Sequence, residues 1–488
     1  MMSAIERLQQ MVGLEPIVSP KPRPDLYHYL GQTPAKQAEA LAEKTLPGSD
    51  PAVVTARRKR ADIFTYIVEF LARSTFEVPY RAEMGKGQNL ARRPFLTPSG
   101  AAEGGTFDFA EGYRWDTFFQ NKTLIIAGAY DLAIDQLLNL ADVFQDYGRI
   151  PNALTTWFLS HAQPPLEALG VFDLLEAGVP PGAWSDKVMR IVEQDLVKEW
   201  WDYATGKKNP RQTSALVNQY GPCITRHTSI HYHPLLVGCE DGKDHNWVTA
   251  TYGEHYLPVQ LNAILYGVLG RLAQYYQTFR PDAERESLYK TLRDDLGEAC
   301  QRLFWLAEGR WRGFRNYSFR PEDEGPIRYG DLGAEIWPLF VGLATPQQAE
   351  VTRQNLAHFY AGDYGLATTS KALRAGGSIE AAPQGWIFQW EENCWPPLML
   401  IATEGLLRYS TSETDAFAQD ALSYQARWIR WAEAEFARSG GFHEKSPYSA
   451  DQQIEGGYYG VLQGFGWTIA AYLTFLQRLA QYQRLESL

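Results

Sequence analysis

Long stretches in which apolar residues recur three and four positions apart constrain this chain more than any other feature. They include TARRKRADIFTYIVEFLARS (55–74), NKTLIIAGAYDLAIDQLLNLADVF (121–144), PVQLNAILYGVLGRLAQYYQTF (258–279), NCWPPLMLIATEGLLRY (393–409), DALSYQARWIRWAEAEFARS (420–439) and GFGWTIAAYLTFLQRLAQY (464–482). This spacing is the signature of amphipathic α-helices. Pro396 and Pro397 suit a helix's first turn, and Gly148 and Gly440 suit helix ends. Alternating strands with two-residue turns are scarce, and neither a dinucleotide-binding GxGxxG nor a P-loop occurs. The pattern predicts one large all-α domain over residues 52–488. Residues 1–51, with the Pro-rich PIVSPKPRPD and the loop KTLPGSDP, form an N-terminal extension. An (α/α)6 toroid of paired helices fits best. A superhelical repeat protein competes, but it would normally show a fixed sequence period, and none is visible.

Composition narrows the function classes. A net charge of −11 argues against a nucleic-acid partner, which would need a basic stripe. The dense basic run RRKR (57–60) reads most simply as a solvated helix face. Cys223, Cys239, Cys300 and Cys394 show no CxxC spacing, so a zinc or redox motif is not expected. No apolar run approaches 18 residues, which predicts no membrane span, and MMSAIERLQQMVGLEP carries no secretion signal. The expectation is a reduced, cytoplasmic protein. Its 15 Trp, 27 Tyr and 23 Phe exceed what most cores use. Part of that excess suits a sugar site, because the C–H faces of a pyranose stack on aromatic rings.

The chemistry has to come from loops rich in carboxylates, amides and aromatics. They are FDFAEGYRWDTFF (107–119), YGRIPNALTTWFLSHAQPP (147–165), GCEDGKDHNW (238–247), QGWIFQWEENCWPP (384–397) and GFHEKSPYSADQQIEGGYYGVLQGFGW (441–467). Each alone could simply connect helices; five with the same blend point to a pocket for a small sugar. His161, His245 and His255 lie near these loops without an HxxxH pair, so hydrogen-bonding roles are favoured over metal ligation.

These segments resemble, in order, those of the trehalase family. EGYRWDTFF is similar to EVYYWDSYF, YGRIPN to YGFIPN and FLSHAQPP to YLSRSQPP. LPVQLNAILY is similar to PVDLNALLY, YGLATTS to GLATTS, and QGFGWTIAAY to DGFGWTNGV. QWEENCWPPLMLIATEGLLRY is similar to QWDYPNGWAPLQWLAIEGLRNY. The resemblance spans about residues 104–475 and implies an α/α-toroid glycoside hydrolase that inverts the anomeric centre and needs no metal or organic cofactor. CEDGKDHNW matches ESGWDFSSRW through Glu240, Gly242 and Asp244, which implies Asp244 as general acid. HEKSP matches VEKYD, which implies Glu444 as general base; Glu455 is a nearer rival by sequence. The implied sugar contacts are Phe109, Tyr113, Trp115, Asp116, Asn152, Gln163, Gln219, Glu240, Gly242, Trp390, Glu391, Trp395 and Trp467.

Departures concern the substrate. The family's sugar-clasping arginines are replaced: Asp108 (or GGTF) stands where the family has GGRF, Thr155 where it has IPNGNR, and Gln219 where it has LNRYW. Arg114, Arg149 or Arg226 could compensate. Three readings follow: trehalose hydrolysis, hydrolysis of another small α-glucoside such as a glucosylglycerate-like solute, or a catalytically weak sugar-binding protein. Oligomeric state stays open.

Overall fold

The computed structural model describes residues 33–84, 87–99, 109–159, 162–196, 247–253, 255–370, 390–391, 393–452, 454 and 461–485. In chain order the helices are α1 (Pro34–Thr45), α2 (Pro51–Lys59), α3 (Ala61–Ser74), α4 (Arg114–Ala127), α5 (Tyr130–Tyr147), α6 (Glu167–Glu176), α7 (Ala183–Asp195) and α8 (Trp247–Tyr252). They continue as α9 (Val259–Thr278), α10 (Ala283–Phe304), α11 (Leu332–Val341), α12 (Pro346–Asn355), α13 (Pro396–Arg408), α14 (Ala416–Ser439) and α15 (Gly466–Gln481).

Six of these close a ring: α4 packs on α6, α6 on α9, α9 on α11, α11 on α13, α13 on α15, and α15 back on α4. Outside it, α5, α7, α10, α12 and α14 each lie against an inner helix or a neighbouring outer one. α3 completes the outer layer, with Tyr66 edge-on to Phe436 of α14 at 5.2 Å. This is the (α/α)6 toroid. The inner helices are lined almost all round by buried residues: α13 buries Pro396 through Thr403, and α9 buries Val259 through Leu265. A helix apolar on all sides belongs in the middle of a two-layer ring.

Helix ends follow local chemistry. Asp282, Asp331 and Asp415 accept a backbone N–H in the first turn of α10, α11 and α14, the usual remedy for orphan amides. Two predicted single helices are broken. The stretch 121–144 divides at Gly128, whose φ of +77° is the left-handed cap that ends α4. The stretch 55–74 divides at Arg60, which is not on a solvated face. It is 2% exposed, and its Nε donates to Glu433 of α14 at 2.5 Å.

Strands are two-residue ladders that tie loops together. β1 (Thr75–Phe76) pairs with β4 (Phe95–Leu96), and β2 (Glu83–Met84) with β3 (Gly87–Gln88). β5 (Tyr256–Leu257) pairs with β8 (Tyr317–Ser318), which also pairs with β9 (Gly325–Pro326). β6 (Trp305–Leu306) pairs with β7 (Gly313–Phe314), and β10 (Asn393–Cys394) with β11 (Ser446–Pro447). All are antiparallel. Among the described residues, no helix is long and apolar enough to cross a membrane.

Candidate active site

Those predicted sugar contacts that fall among the described residues lie near one mouth of the ring, where the inner helices begin. Tyr113 is the N-cap of α4, Trp395 of α13 and Phe465 of α15. First-turn amides have no partner within their own helix, so loop side chains come in to meet them. Gln163 Oε1 accepts from Trp115 N at 2.9 Å. Asn152 is placed by its backbone carbonyl, which accepts from Arg114 N at 2.9 Å. A bridge between Tyr113 and Ala153 seats the loop 147–155 against the start of α4.

Tryptophans build the floor. Trp390 stacks on Trp395 at 3.8 Å with 17° between planes. Trp467 stands edge-on to Trp395 at 5.8 Å, and Trp115 edge-on to Trp390 at 6.1 Å and to Trp467 at 6.3 Å. A second run of rings continues the wall: Phe465 lies 4.3 Å from Trp467 and 6.0 Å from Phe109, Phe109 lies 5.5 Å from Tyr113, and Tyr113 lies 5.5 Å from Phe158. Such pairs add about 0.5–1.5 kcal/mol each beyond their area burial.

Glu444 meets this floor. It is fully buried, its N–H donates to Leu462 O at 2.9 Å, and its carbonyl accepts from Trp467 Nε1 at 2.8 Å. The β10–β11 ladder, two residues further on, pins the Glu444 segment to the loop that carries Trp390 and Trp395. Lys445, also fully buried, holds its ammonium 5.2 Å from the Trp395 ring. Asp116 is buried in the first turn of α4. Two polar atoms here, Asn152 Oδ1 and Trp395 Nε1, are buried without a hydrogen-bond partner among the described residues. An unpaired buried polar group costs about 1–3 kcal/mol, a cost that a polar ligand at this position would offset.

Three of the residues singled out in the sequence are engaged by other parts of the protein. Gln163 has its carbonyl oxygen engaged by the α4 backbone, so it shapes the site through that helix start. Glu391 is held by protein partners: Oε1 accepts from Trp247 N at 2.6 Å, and Oε2 accepts from Tyr329 Oη. Arg114 turns inward to two carboxylates. Its side chain is 0% exposed, and it donates to Glu167 at 2.5 Å and to Asp195 at 2.6 Å. Burial opposes that charge, but the attraction of Asp195 and Glu167 prevails and holds the guanidinium pKa above its ordinary value. Thr155, standing at an arginine position of the family, is buried on a bridge to Asn89. Lys445, Phe465 and Tyr329 also lie in this region; Lys445 falls in the run HEKSP and Phe465 in QGFGWTIAAY, while Tyr329 has no sequence signal of its own. Asp108, His161, Gln219, Arg226, Glu240, Gly242, Asp244, His245, Glu392 and Glu455 lie outside the described residues.

A separate cavity of about 850 Å³ lies at the other end of the ring, lined toward the C-terminal ends of the inner helices by residues such as Lys122, Arg271, Arg408 and Arg478. None of the predicted site residues lines it.

A ring of six inner and six outer helices with a tryptophan-floored mouth at the inner N-termini defines the (α/α)6-toroid class. Solved structures share it. Neutral trehalase Nth1 from Saccharomyces cerevisiae superposes with a TM-score of 0.63 at 15% identity, covering 100% of this chain and 96% of that one. A GH63 mannosylglycerate hydrolase from Thermus thermophilus gives 0.50 at 16% identity, covering 84% of this chain and 99% of that one. The family model described as Trehalase matches residues 68–228 and 235–480, and the chain belongs to the trehalase family, a family of glycoside hydrolases. Among curated relatives, the periplasmic trehalase of Xanthomonas axonopodis pv. citri is 27% identical, covering 78% of this chain and 67% of that protein. The periplasmic trehalase of Pseudomonas aeruginosa is 25% identical, covering 93% and 86%. These relatives correct the cytoplasmic expectation, since they are named for the periplasm. That expectation rests on a negative signal, which carries no address of its own.

Proposed function

We propose that this protein hydrolyses trehalose with inversion at the anomeric carbon, with Asp244 as general acid and Glu444 as general base. The observation that carries the reading is Glu444 itself. It is a carboxylate-bearing residue with no exposed surface, hung by its backbone from the tryptophan at the site floor. In the reaction the glycosidic C–O bond breaks as its oxygen takes the proton of Asp244. Water adds to the anomeric carbon from the opposite face and gives a proton to Glu444. Inverting glycosidases keep the two carboxyl groups roughly 6.5–9.5 Å apart to admit that water. The stacked Trp390 and Trp395 offer a platform for a glucose ring, and Asn152 Oδ1 and Trp395 Nε1 offer an acceptor and a donor for its hydroxyls. Residues 52–488 act as the catalytic unit.

A second reading has its own support. Thr155 replaces an arginine of the family, and Arg114 is withheld by Glu167 and Asp195. A second-sugar subsite short of guanidinium groups fits another small α-glucoside. The test is glucose release, with NMR of the nascent anomer, from trehalose and a panel of α-glucosides. Asp244→Asn and Glu444→Gln should each lower turnover by about 10²–10⁴-fold. Cleavage of a different α-glucoside with trehalose untouched supports the second reading. Retention of activity by either variant removes that residue from its role.

A further inference from the structure

The cavity at the far end of the ring is built by the later parts of all six inner helices, α4, α6, α9, α11, α13 and α15. Its volume of about 850 Å³ falls in the range of sites for small organic molecules, about 300–1,000 Å³. Five cationic side chains line it against three carboxylates, a surplus of positive charge in a chain whose net charge is −11. All three carboxylates are engaged. Asp173 accepts from Lys122 Nζ at 2.7 Å, Glu176 lies 2.9 Å from Arg271 Nη2, and Glu404 takes both arms of the Arg478 fork at 2.8 and 2.5 Å. Two arginines are left over. Arg293 turns to its sequence neighbour Asp294, which does not line the cavity, in an exposed pair of a kind that holds side chains weakly. Arg408 has no carboxylate partner among the described residues, and its Nη1 donates to Phe340 O only at 3.5 Å, the long limit of a hydrogen bond.

Helix C-termini carry about half a negative charge each, which would by itself draw cations to this end. Here that charge is opposed, because short loops lead from the inner helices to outer helices that start at the same end. α4 ends at Ala127 and α5 begins at Tyr130; α9 ends at Thr278 and α10 begins at Ala283; α11 ends at Val341 and α12 begins at Pro346. The side-chain surplus is therefore left to meet something else.

We propose that this cavity binds a small organic phosphate, with Arg408 as the main anchor of its phosphate oxygens. A phosphate monoester carries about −1.5 to −2 charge at pH 7, which matches the two arginines left over. A planar guanidinium presents paired donors suited to its oxygens. Tyr266, Phe340 and Tyr482, with Leu400 and Leu407, give the rest of the molecule an apolar wall. The site is separate from the tryptophan-floored mouth and does not depend on the assignment of the catalytic pair.

Isothermal titration calorimetry on the full-length protein tests this with AMP and ATP as probes and adenosine as the phosphate-free control. AMP or ATP should bind once per chain, more weakly as salt rises, and adenosine should not bind. Arg408→Ala should raise the Kd roughly tenfold or more, and Arg408→Lys should raise it less. Glu404→Gln, which releases the Arg478 guanidinium, should lower the Kd by about threefold; a gain in affinity cannot come from a poorly folded variant. Asn152→Ala, at the opposite mouth, should leave the Kd unchanged. Failure of both nucleotides to bind the wild-type protein would overturn the proposal. So would adenosine binding as tightly as AMP, a Kd indifferent to both Arg408→Ala and Glu404→Gln, or a loss confined to Asn152→Ala, which would put the phosphate at the other mouth.

Discussion

Replacing Arg114 by methionine separates two roles that a site-lining arginine could have. Its guanidinium lies between two buried carboxylates, with Nε 2.5 Å and Nη2 3.1 Å from Glu167, and Nη2 also 2.6 Å from Asp195. Methionine fills much of the space but leaves both acids buried without their cation, a change that costs about 3–5 kcal/mol. Unfolding entropy of about 2.1 cal/mol/K per residue, taken over 488 residues, comes to about 1 kcal/mol/K. The melting temperature should therefore fall by about 3–5 °C at neutral pH. The deficit should also depend on pH. Burial already pushes the Glu167 carboxyl up, with Arg114 only partly opposing it, and loss of the cation raises it further. A carboxyl whose folded pKa exceeds its unfolded value contributes stability that is fully present below the unfolded pKa and lost as pH rises through the folded one. The deficit of Arg114→Met thus shrinks toward about pH 4–5. Differential scanning fluorimetry from about pH 4.5 to 8, run beside kcat and KM, reads both effects. An unchanged melting temperature with a selectively raised KM would refute the reasoning, because the guanidinium would then be working on substrate.

Two further outcomes follow from local geometry. Trp467→Phe keeps most of the ring packing but deletes the indole N–H donated to Glu444 O. It should lower kcat by about tenfold while leaving KM within a factor of about three; a kcat equal to wild type would detach the indole from the positioning of Glu444. Asp135 is pushed up to about 6, by burial first, with Arg93 opposing and Asp131 and Asp142 adding. Its contribution to stability is accordingly present below its unfolded pKa and lost as pH rises through about 6. Asp135→Asn should flatten the fall of melting temperature between about pH 4 and 7 by about 1 °C, equivalent to about 1 kcal/mol after solvent screening, and parallel curves for the two proteins would contradict this.

How much can be read in advance follows the range of each interaction. Helix period is local, so α3, α9, α13, α14 and α15 are legible from apolar spacing alone. The site's aromatic residues are legible because their loop motifs resemble a family pattern, and Trp115, Trp390, Trp395 and Trp467 do converge. Contacts between distant segments leave no such trace. Nothing around Arg60 announces Glu433, nothing around Arg114 announces Asp195, and nothing around Glu391 announces Trp247 and Tyr329. Gly128 stays hidden because an uninterrupted apolar period masks the left-handed turn that divides α4 from α5.

The packing of α15 on α4 also governs how the molecule comes into being. Trp115, emerging early during synthesis, waits for Trp467, which lies in the last inner helix. Until that helix arrives, the barrel is an open arc whose two raw edges show apolar side chains to solvent, the condition under which partly made chains aggregate. Joining the edges means closing a loop that spans most of the polypeptide, an entropic toll that local helix formation cannot defray in advance. A frameshift near residue 460 would therefore not trim one spoke from a wheel. It would leave the rim unjoined and the aromatic mouth never assembled.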